Sequence, residues 1–307
     1  MVKSCNWDKI FHTVRALELD DDGIFVQHAS CDNEDDCCFT AHEKIERLFS
    51  FKDPRNYLHL WRVLHIMRYI NKHLKGNRDA NIVDLGAGFC EAVTGLFNSR
   101  TYYNYYCMDF DYRRLKTVAK RTVGNFNRVL VRSDLMKAEL PFPDESVDCI
   151  VCAEFAEHIP TKNFTLLMKE VQRIARPDAK CVFTTPNGTA GGVESIDHIY
   201  EYDQGEFHAL LEACGFEVDK QFGFSPVKRV HRDNELARMM EDFVPTATVR
   251  GLMVDDKNFD AYREAVYNCT ASGNFDIGRV AALQFPLSDE HNTKRGRNKA
   301  TLPRIKA

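Results

Sequence analysis

From residue 81 onward the chain alternates short apolar runs with amphipathic stretches, and this rhythm limits its fold more than any other feature. The runs are 81–85 (NIVDL), 103–108 (YNYYCM), 128–132 (RVLVR), 147–152 (VDCIVC) and 180–185 (KCVFTT). Helical spacing fills the intervals near 90–98, 111–122 and 162–175, and a helix at 204–214 with a strand at 216–222 extends the series. Runs that are apolar on both alternating faces suit strands buried from both sides, and the amphipathic stretches supply the covers. The expectation is an α/β fold: a doubly wound, mostly parallel sheet with helices on both faces.

Around this core the pattern is looser. Residues 41–51 and 55–75 are predicted helical; in the second, Leu60, Val63, Met67, Ile70 and Leu74 recur at spacings of three and four and form one apolar face. These helices are read either as a lid over a ligand or as plain packing helices. Residues 226–278 are read as a helical insertion, followed by a last strand in RVAALQF at 279–285. The expected organisation is an N-terminal segment with lid helices at 1–76, a main domain at 77–287, and a basic tail at 288–307. That tail carries Lys294, Arg295, Arg297, Lys299, Arg304 and Lys306. It is read as disordered and solubilising, with contact to phosphate as the alternative.

Composition excludes some classes. The chain has 307 residues, 44% hydrophobic and 28% charged, with a net charge of −4. This suits one large globular domain with additions and leaves any nucleic-acid contact to a local patch. No run of about 18 apolar residues is present, so no membrane span is expected, and the N-terminus lacks the apolar segment of a secretory signal. The reading is cytoplasmic. The eleven cysteines are odd in number, and Cys107, Cys149, Cys152 and Cys181 lie inside strand runs. Buried reduced thiols fit better than a disulfide framework. His28, Cys31, Cys37, Cys38 and His42 form a patch that matches no zinc template cleanly. Tyr102, Tyr103, Tyr105 and Tyr106 read as sheet packing.

Carboxylates mark the strand ends, where open α/β sheets bind ligands. Asp84-Leu85-Gly86-Ala87-Gly88 follows the first run, and its glycines permit a tight turn and a close backbone approach. Asp109, followed by Phe110, closes the second run; an acid there can accept bonds from both hydroxyls of a ribose. Ser133-Asp134-Leu135 follows the third run, where an acid can accept from an adenine amino group. Next come Leu140-Pro141-Phe142-Pro143-Asp144-Glu145-Ser146-Val147-Asp148 and, after the fourth run, Glu154-Phe155-Ala156-Glu157-His158-Ile159.

This order resembles the class I S-adenosylmethionine-dependent methyltransferases, particularly their type 11 branch. The pattern D-x-G-x-G, acid, S-D, LPF-x-D-x-S-x-D, E-H-I, R-x-x-x-P and T-P-N covers 81–187, and DHIYEYDQGEFHALLEACGFEV at 197–218 continues it. One departure is Cys90, where a third glycine usually lies. The resemblance implies a Rossmann-like sheet of seven strands with the last antiparallel, and S-adenosylmethionine as cofactor. By the same resemblance Asp84, Gly86 and Gly88 cradle the methionine moiety, Asp109 holds the ribose, Asp134 and Leu135 flank the adenine, and Ala87, Phe110, Ser133 and Glu154 join the cofactor set.

On the acceptor side stand Glu154, Glu157, His158 and His198. Three readings stay open: Glu157, His158 and His198 as acid–base groups; all four as ligands of a divalent cation (Mg, Mn or Zn); or structural roles. The E-x-x-E-H and D-H-x-x-E spacings are similar to small-RNA 2′-O-methyltransferases and to ubiquinone-pathway O-methyltransferases, both of which act on vicinal oxygens. The expected acceptor is a hydroxyl of a small molecule. The alternatives are a metal-dependent RNA 2′-O-methyltransferase and a non-catalytic binding module for the cofactor.

Overall fold

The computed structural model describes residues 17–27, 54–74, 77, 79–88, 104–119, 127–188, 198–226, 252–254 and 264–283. They form ten strands and five helices: β1 (Glu18–Leu19), β2 (Phe25–Val26), α1 (Pro54–His73), β3 (Asn81–Leu85), β4 (Asn104–Asp109), α2 (Tyr112–Ala119), β5 (Asn127–Arg132), β6 (Val147–Ala153), α3 (Thr161–Ile174), β7 (Ala175–Pro186), α4 (Gln204–Ala213), β8 (Phe216–Pro226), β9 (Leu252–Val254), β10 (Glu264–Ala271) and α5 (Ile277–Ala282).

All ten strands join one sheet in the order β1-β2-β5-β4-β3-β6-β7-β10-β8-β9. From β5 to β7 every pairing is parallel. β10 inserts antiparallel between β7 and β8. Seven long strands thus make the predicted sheet, and the short β1, β2 and β9 extend its edges. The strand order reverses between β3 and β6, where Leu85 pairs with Cys152. In a doubly wound sheet that reversal opens a crevice at the carboxyl ends, which is where the marked acids lie.

Two apolar layers sandwich the sheet. On one face Phe164, Phe183, Phe207 and Phe216 pack with α3 and α4. On the other, Ile82, Tyr105, Val151 and Val182 meet α1 and α2. Helix α1 is a packing helix. Its Val63, Ile66, Met67, Ile70 and Leu74 are buried against the sheet, as their spacing predicts. Polar contacts hold it in register: His65 Nε2 lies 3.1 Å from Asn268 Oδ1, and the Tyr69 hydroxyl donates to the Cys269 carbonyl at 3.4 Å.

The last strand corrects the sequence reading. The antiparallel strand is 264–271, inside the stretch assigned to a helical insertion, and the segment read as a strand at 279–285 begins as helix α5. Asp276 caps that helix by accepting the Arg279 N–H at 3.0 Å, and its alanines favour the helical state. In β10 the polar Asn268 disguised the strand pattern, since asparagine is depleted in strands; here it faces His65. The hairpin of β1 and β2 lies in a region read as irregular. The readings for 41–51, 90–98, the Cys/His patch and the basic tail fall outside the described residues, as does most of 226–263.

Cys107, Cys149, Cys152, Cys181, Cys214 and Cys269 are all buried free thiols, as expected. Burial pushes the Cys214 thiol up to about 12, which keeps it protonated and unreactive. Among the described residues no helix is long and apolar enough to cross a membrane.

Burial lowers the His65 imidazole from 6.5 to about 4. The native state favours the neutral ring, so its contribution to stability is complete above 6.5 and is lost as pH falls towards 4. Urea midpoints should fall across that window, and the slope should be shallower in His65→Gln. Equal slopes in the two proteins would contradict the burial of this ring.

Candidate cofactor and acceptor site

The turn after β3 is built by its neighbours. Gly86 (φ +69°) and Gly88 (φ +56°) both adopt left-handed backbone, which glycine tolerates without steric cost. The Ala87 N–H donates to the Met108 carbonyl at 2.9 Å. The Gly88 N–H donates to Asp109 Oδ2 at 2.8 Å, and Asp109 Oδ1 accepts from the Asp111 N–H at 2.8 Å. Asp109 is buried. Its carboxyl is pushed above the usual range by that burial, against the opposing pull of Arg114 and the two backbone donors. Asp84 is also buried and accepts from the Tyr105 hydroxyl at 3.1 Å.

Gly86 has a second constraint. A Cβ there would lie 2.3 Å from Cδ2 of Phe155, so the phenyl ring packs directly on the turn. The close approach expected for a ligand is made here by a side chain of the Glu154–Ile159 segment. The glycine turn and the acceptor-side turn are therefore in contact. Gly88 is less confined, because among the described residues a Cβ would meet only the Arg114 guanidinium at 3.7 Å.

Beyond β5, Asp134 caps a short 3-10 turn at Leu135–Lys137, its Oδ1 accepting the Met136 N–H at 3.1 Å. Ser133 and Leu135 are buried. The Leu140–Ser146 loop is held by Arg173 of the R-x-x-x-P motif. Its guanidinium donates to the carbonyls of Leu140 and Phe142 and pairs with Asp144 and Glu170.

After β6, Glu154 sits at φ +52°, an uncommon conformation for a non-glycine residue that often marks functional turns. Its Oε1 accepts from the Thr184 hydroxyl at 2.8 Å, and its Oε2 lies 3.3 Å from Arg62 Nη1. Both Glu154 oxygens are thus engaged, and Glu154 is not in the group of ligand atoms that the other three acceptor-side residues form among the described residues. Glu157, His158 and His198 do converge: one ligand atom from each lies within 4.8 Å of the others. The two imidazoles meet edge to face at 4.8 Å between centroids. Glu157 Oε2 accepts from the Thr185 hydroxyl at 3.3 Å, whereas its buried Oε1 has no hydrogen-bond partner among the described residues and stands 3.9 Å from His158 Nε2. Burial, then the neighbouring Glu154, pushes the Glu157 carboxyl well above the ordinary range.

His198 Nδ1 lies 2.6 Å from Oε1 of Glu201, a carboxylate only 4% exposed. A carboxylate at Nδ1 fixes ring orientation and leaves Nε2 as the working nitrogen. The Glu157 carbonyl accepts from the Ile199 N–H at 2.7 Å, which ties the two histidine-bearing segments together. Glu201 and Arg62 were absent from the predicted site. Glu201 had a local signal, three residues after His198 in D-H-x-x-E; Arg62 had an indirect one, its place on the helix read as a lid or a packing helix.

The Gly86–Phe155 contact is testable. Gly86→Ala should destabilise the fold by more than Gly273→Ala, which shares a positive φ (+71°) but meets nothing within 4 Å. The control should cost about 1–2 kcal/mol from backbone strain alone. Equal losses in chemical denaturation would show that the ring does not confine the turn.

The comparisons with known proteins converge on this architecture. A methyltransferase-domain family model, Methyltransf_11, matches residues 83–183. A curated relative from Mycolicibacterium smegmatis, described as "Probable S-adenosylmethionine-dependent methyltransferase", is 31% identical over 121 residues, covering 38% of this chain. The chain spans only 44% of that relative's length. Among solved structures, magnesium protoporphyrin IX methyltransferase from Synechocystis with bound S-adenosylmethionine superposes at TM-score 0.50 and 12% identity, covering 80% of this chain and 100% of that one. A S-adenosylmethionine-dependent methyltransferase from Archaeoglobus fulgidus matches at TM-score 0.47 and 16% identity, covering 68% and 93%. In its ordered motifs, its strand order and the matched domain at 83–183, the chain is similar to the class I S-adenosylmethionine-dependent methyltransferases.

Proposed function

We propose that the chain transfers a methyl group from S-adenosylmethionine to a hydroxyl oxygen of a small-molecule acceptor. The observation that carries this reading is the Glu201-backed His198, beside His158 and Glu157, on the segment whose Phe155 packs on the glycine turn. The residues present fit the cofactor. Asp109 is held by two backbone donors, and a carboxylate has about four acceptor positions, so it can also take ribose hydroxyls. Asp134 offers an acceptor-only group for an adenine amino group.

When bound, S-adenosylmethionine supplies a methyl carbon activated by a sulfonium. The chain must then align an oxygen nucleophile and remove its proton. His198 Nε2 takes that proton while Glu201 holds the ring, the division of labour of a carboxylate–imidazole pair. Imidazole is the side-chain base suited to neutral pH. Phe155 closes the wall between cofactor turn and acceptor.

A second reading is favoured by the orphaned Glu157 Oε1. With His158 and His198 it offers three ligand atoms for a divalent cation, and Glu201 would be the outer partner that orients His198. A cation there would lower the pKa of a bound acceptor hydroxyl. This reading suits vicinal hydroxyls, including those at an RNA 3′ end.

Isothermal titration with S-adenosylhomocysteine should show binding that Asp109→Ala weakens roughly 10- to 100-fold, the loss of bonds to a charged acceptor. Incubation with labelled S-adenosylmethionine should mark a metabolite extract and leave total RNA unlabelled. Label in RNA would overturn the small-molecule assignment, and binding without any transfer would leave a cofactor-binding module. His198→Ala should reduce kcat about 10²- to 10⁴-fold with cofactor affinity retained. Metal analysis of the purified protein, with and without that substitution, separates base from ligand.

A further inference from the structure

The hairpin of β1 and β2 lies outside the matched methyltransferase domain, yet it is bonded to both elements that carry the nucleoside-side acids. Gln27, just after β2, makes three hydrogen bonds around the turn that follows β5. Its N–H donates to the Arg132 carbonyl at 2.9 Å. Its Nε2 donates to the Glu139 carbonyl at 3.0 Å, and its Oε1 accepts from the Ser133 hydroxyl at 2.8 Å. A carbonyl can only accept, so Glu139 fixes which end of the amide faces it, and Oε1 must face Ser133. The turn held in this way presents Asp134.

The same hairpin grips the other wall. Asp22 Oδ2 accepts from the Tyr112 hydroxyl at 2.9 Å and pairs with Lys116 Nζ at 2.9 Å. The Arg132 guanidinium lies over the Tyr112 ring at 5.2 Å. Tyr112 opens α2, three residues after Asp109. One N-terminal hairpin therefore bridges the acid assigned to ribose and the acid assigned to adenine.

We propose that Gln27 is a positioning residue for the nucleoside half of the cofactor: through Ser133 it fixes the turn that aims the Asp134 carboxylate at the exocyclic amino group of adenine. This rests on the methyltransferase reading. Because a carboxylate only accepts, the turn so held favours a base bearing an amino group over one bearing a carbonyl at that position.

The test uses the full chain, titrated with S-adenosylhomocysteine and with 5′-methylthioadenosine, which keeps the nucleoside and lacks the amino-acid half. Gln27→Met preserves side-chain length and removes both amide hydrogen bonds. Both ligands should lose affinity by roughly five- to tenfold, the scale of one or two such bonds. KM for S-adenosylmethionine should rise by the same factor while kcat at saturation is unchanged, a split that a general loss of structure would not produce. In an Asp134→Ala background the Gln27→Met change should add nothing. Ser133→Ala breaks the same contact from its other end and should reproduce the loss for both ligands. Unchanged affinity in Gln27→Met or in Ser133→Ala, or additive losses in the double variant, would overturn the proposal. If the unaltered protein binds neither ligand, the methyltransferase reading itself fails, before any variant is compared.

Discussion

Asp109 is the knot on which the cofactor side depends. Its carboxylate takes the N–H of Gly88 from the turn after β3 and the N–H of Asp111 at the entry to α2, and its carbonyl takes the N–H of Ser133 from the turn after β5. Three consecutive strand ends of the parallel sheet are thereby tied to one residue. Backbone hydrogen bonds within strands set the register of β3, β4 and β5, but they stop at the strand ends. The turns beyond those ends would be loose without an acceptor able to serve several donors at once. A buried carboxylate does this, and the desolvation it suffers is offset only in part by the donors it gathers.

The acceptor side repeats the device with other atoms. Glu154 is fastened to β7 by its own N–H and by the Thr184 hydroxyl, and Glu157 to the 198–202 segment through its carbonyl. Buried acids cluster at this end of the sheet: Asp84, Asp109, Asp111, Glu157 and Glu201 are each at most 4% exposed. A sheet whose stability alone mattered would carry apolar residues there. Such a concentration of desolvated carboxylates, with one Glu157 oxygen lacking a hydrogen-bond partner among the described residues, is what a surface organised in advance for a charged or hydrogen-bonding ligand would carry.

The parts of this design that were legible in the sequence are those encoded locally. Runs such as NIVDL and VDCIVC announce buried strands because apolar residues fill most positions and the single acid of each lies next to an end, and the structure places β3 and β6 there at the sheet centre. The acids closing those runs could be read because strand ends and loop starts adjoin in sequence. His198 and Glu201 were within reach of the same logic. Partnerships made across the fold were not legible. Nothing near Gly86 announces Phe155, nothing near Glu154 announces Arg62, and Asn268 looks like a strand breaker until His65 is seen opposite it. The misplaced last strand has the same origin: β10 is stabilised by pairing on both sides and by α1 packed across it, neither of which leaves a trace within residues 264–271.

That distinction bears on where this chain differs from its relatives. The matched domain at 83–183 supplies β4, β5, β6 and most of β3 and β7, with the turns between them. The site has partners from outside it: Arg62 from α1, Gln27 and Asp22 from the N-terminal hairpin, and His198 and Glu201 from the segment before α4. The matched span carries Asp84, Asp109, Asp134, Glu154 and Glu157, while flanking segments contact these residues or their turns and carry the His198–Glu201 pair. A change of acceptor within such an architecture needs no change in the parallel sheet. It needs only different side chains on elements packed around the sheet, such as those that carry Arg62, His198 and Glu201.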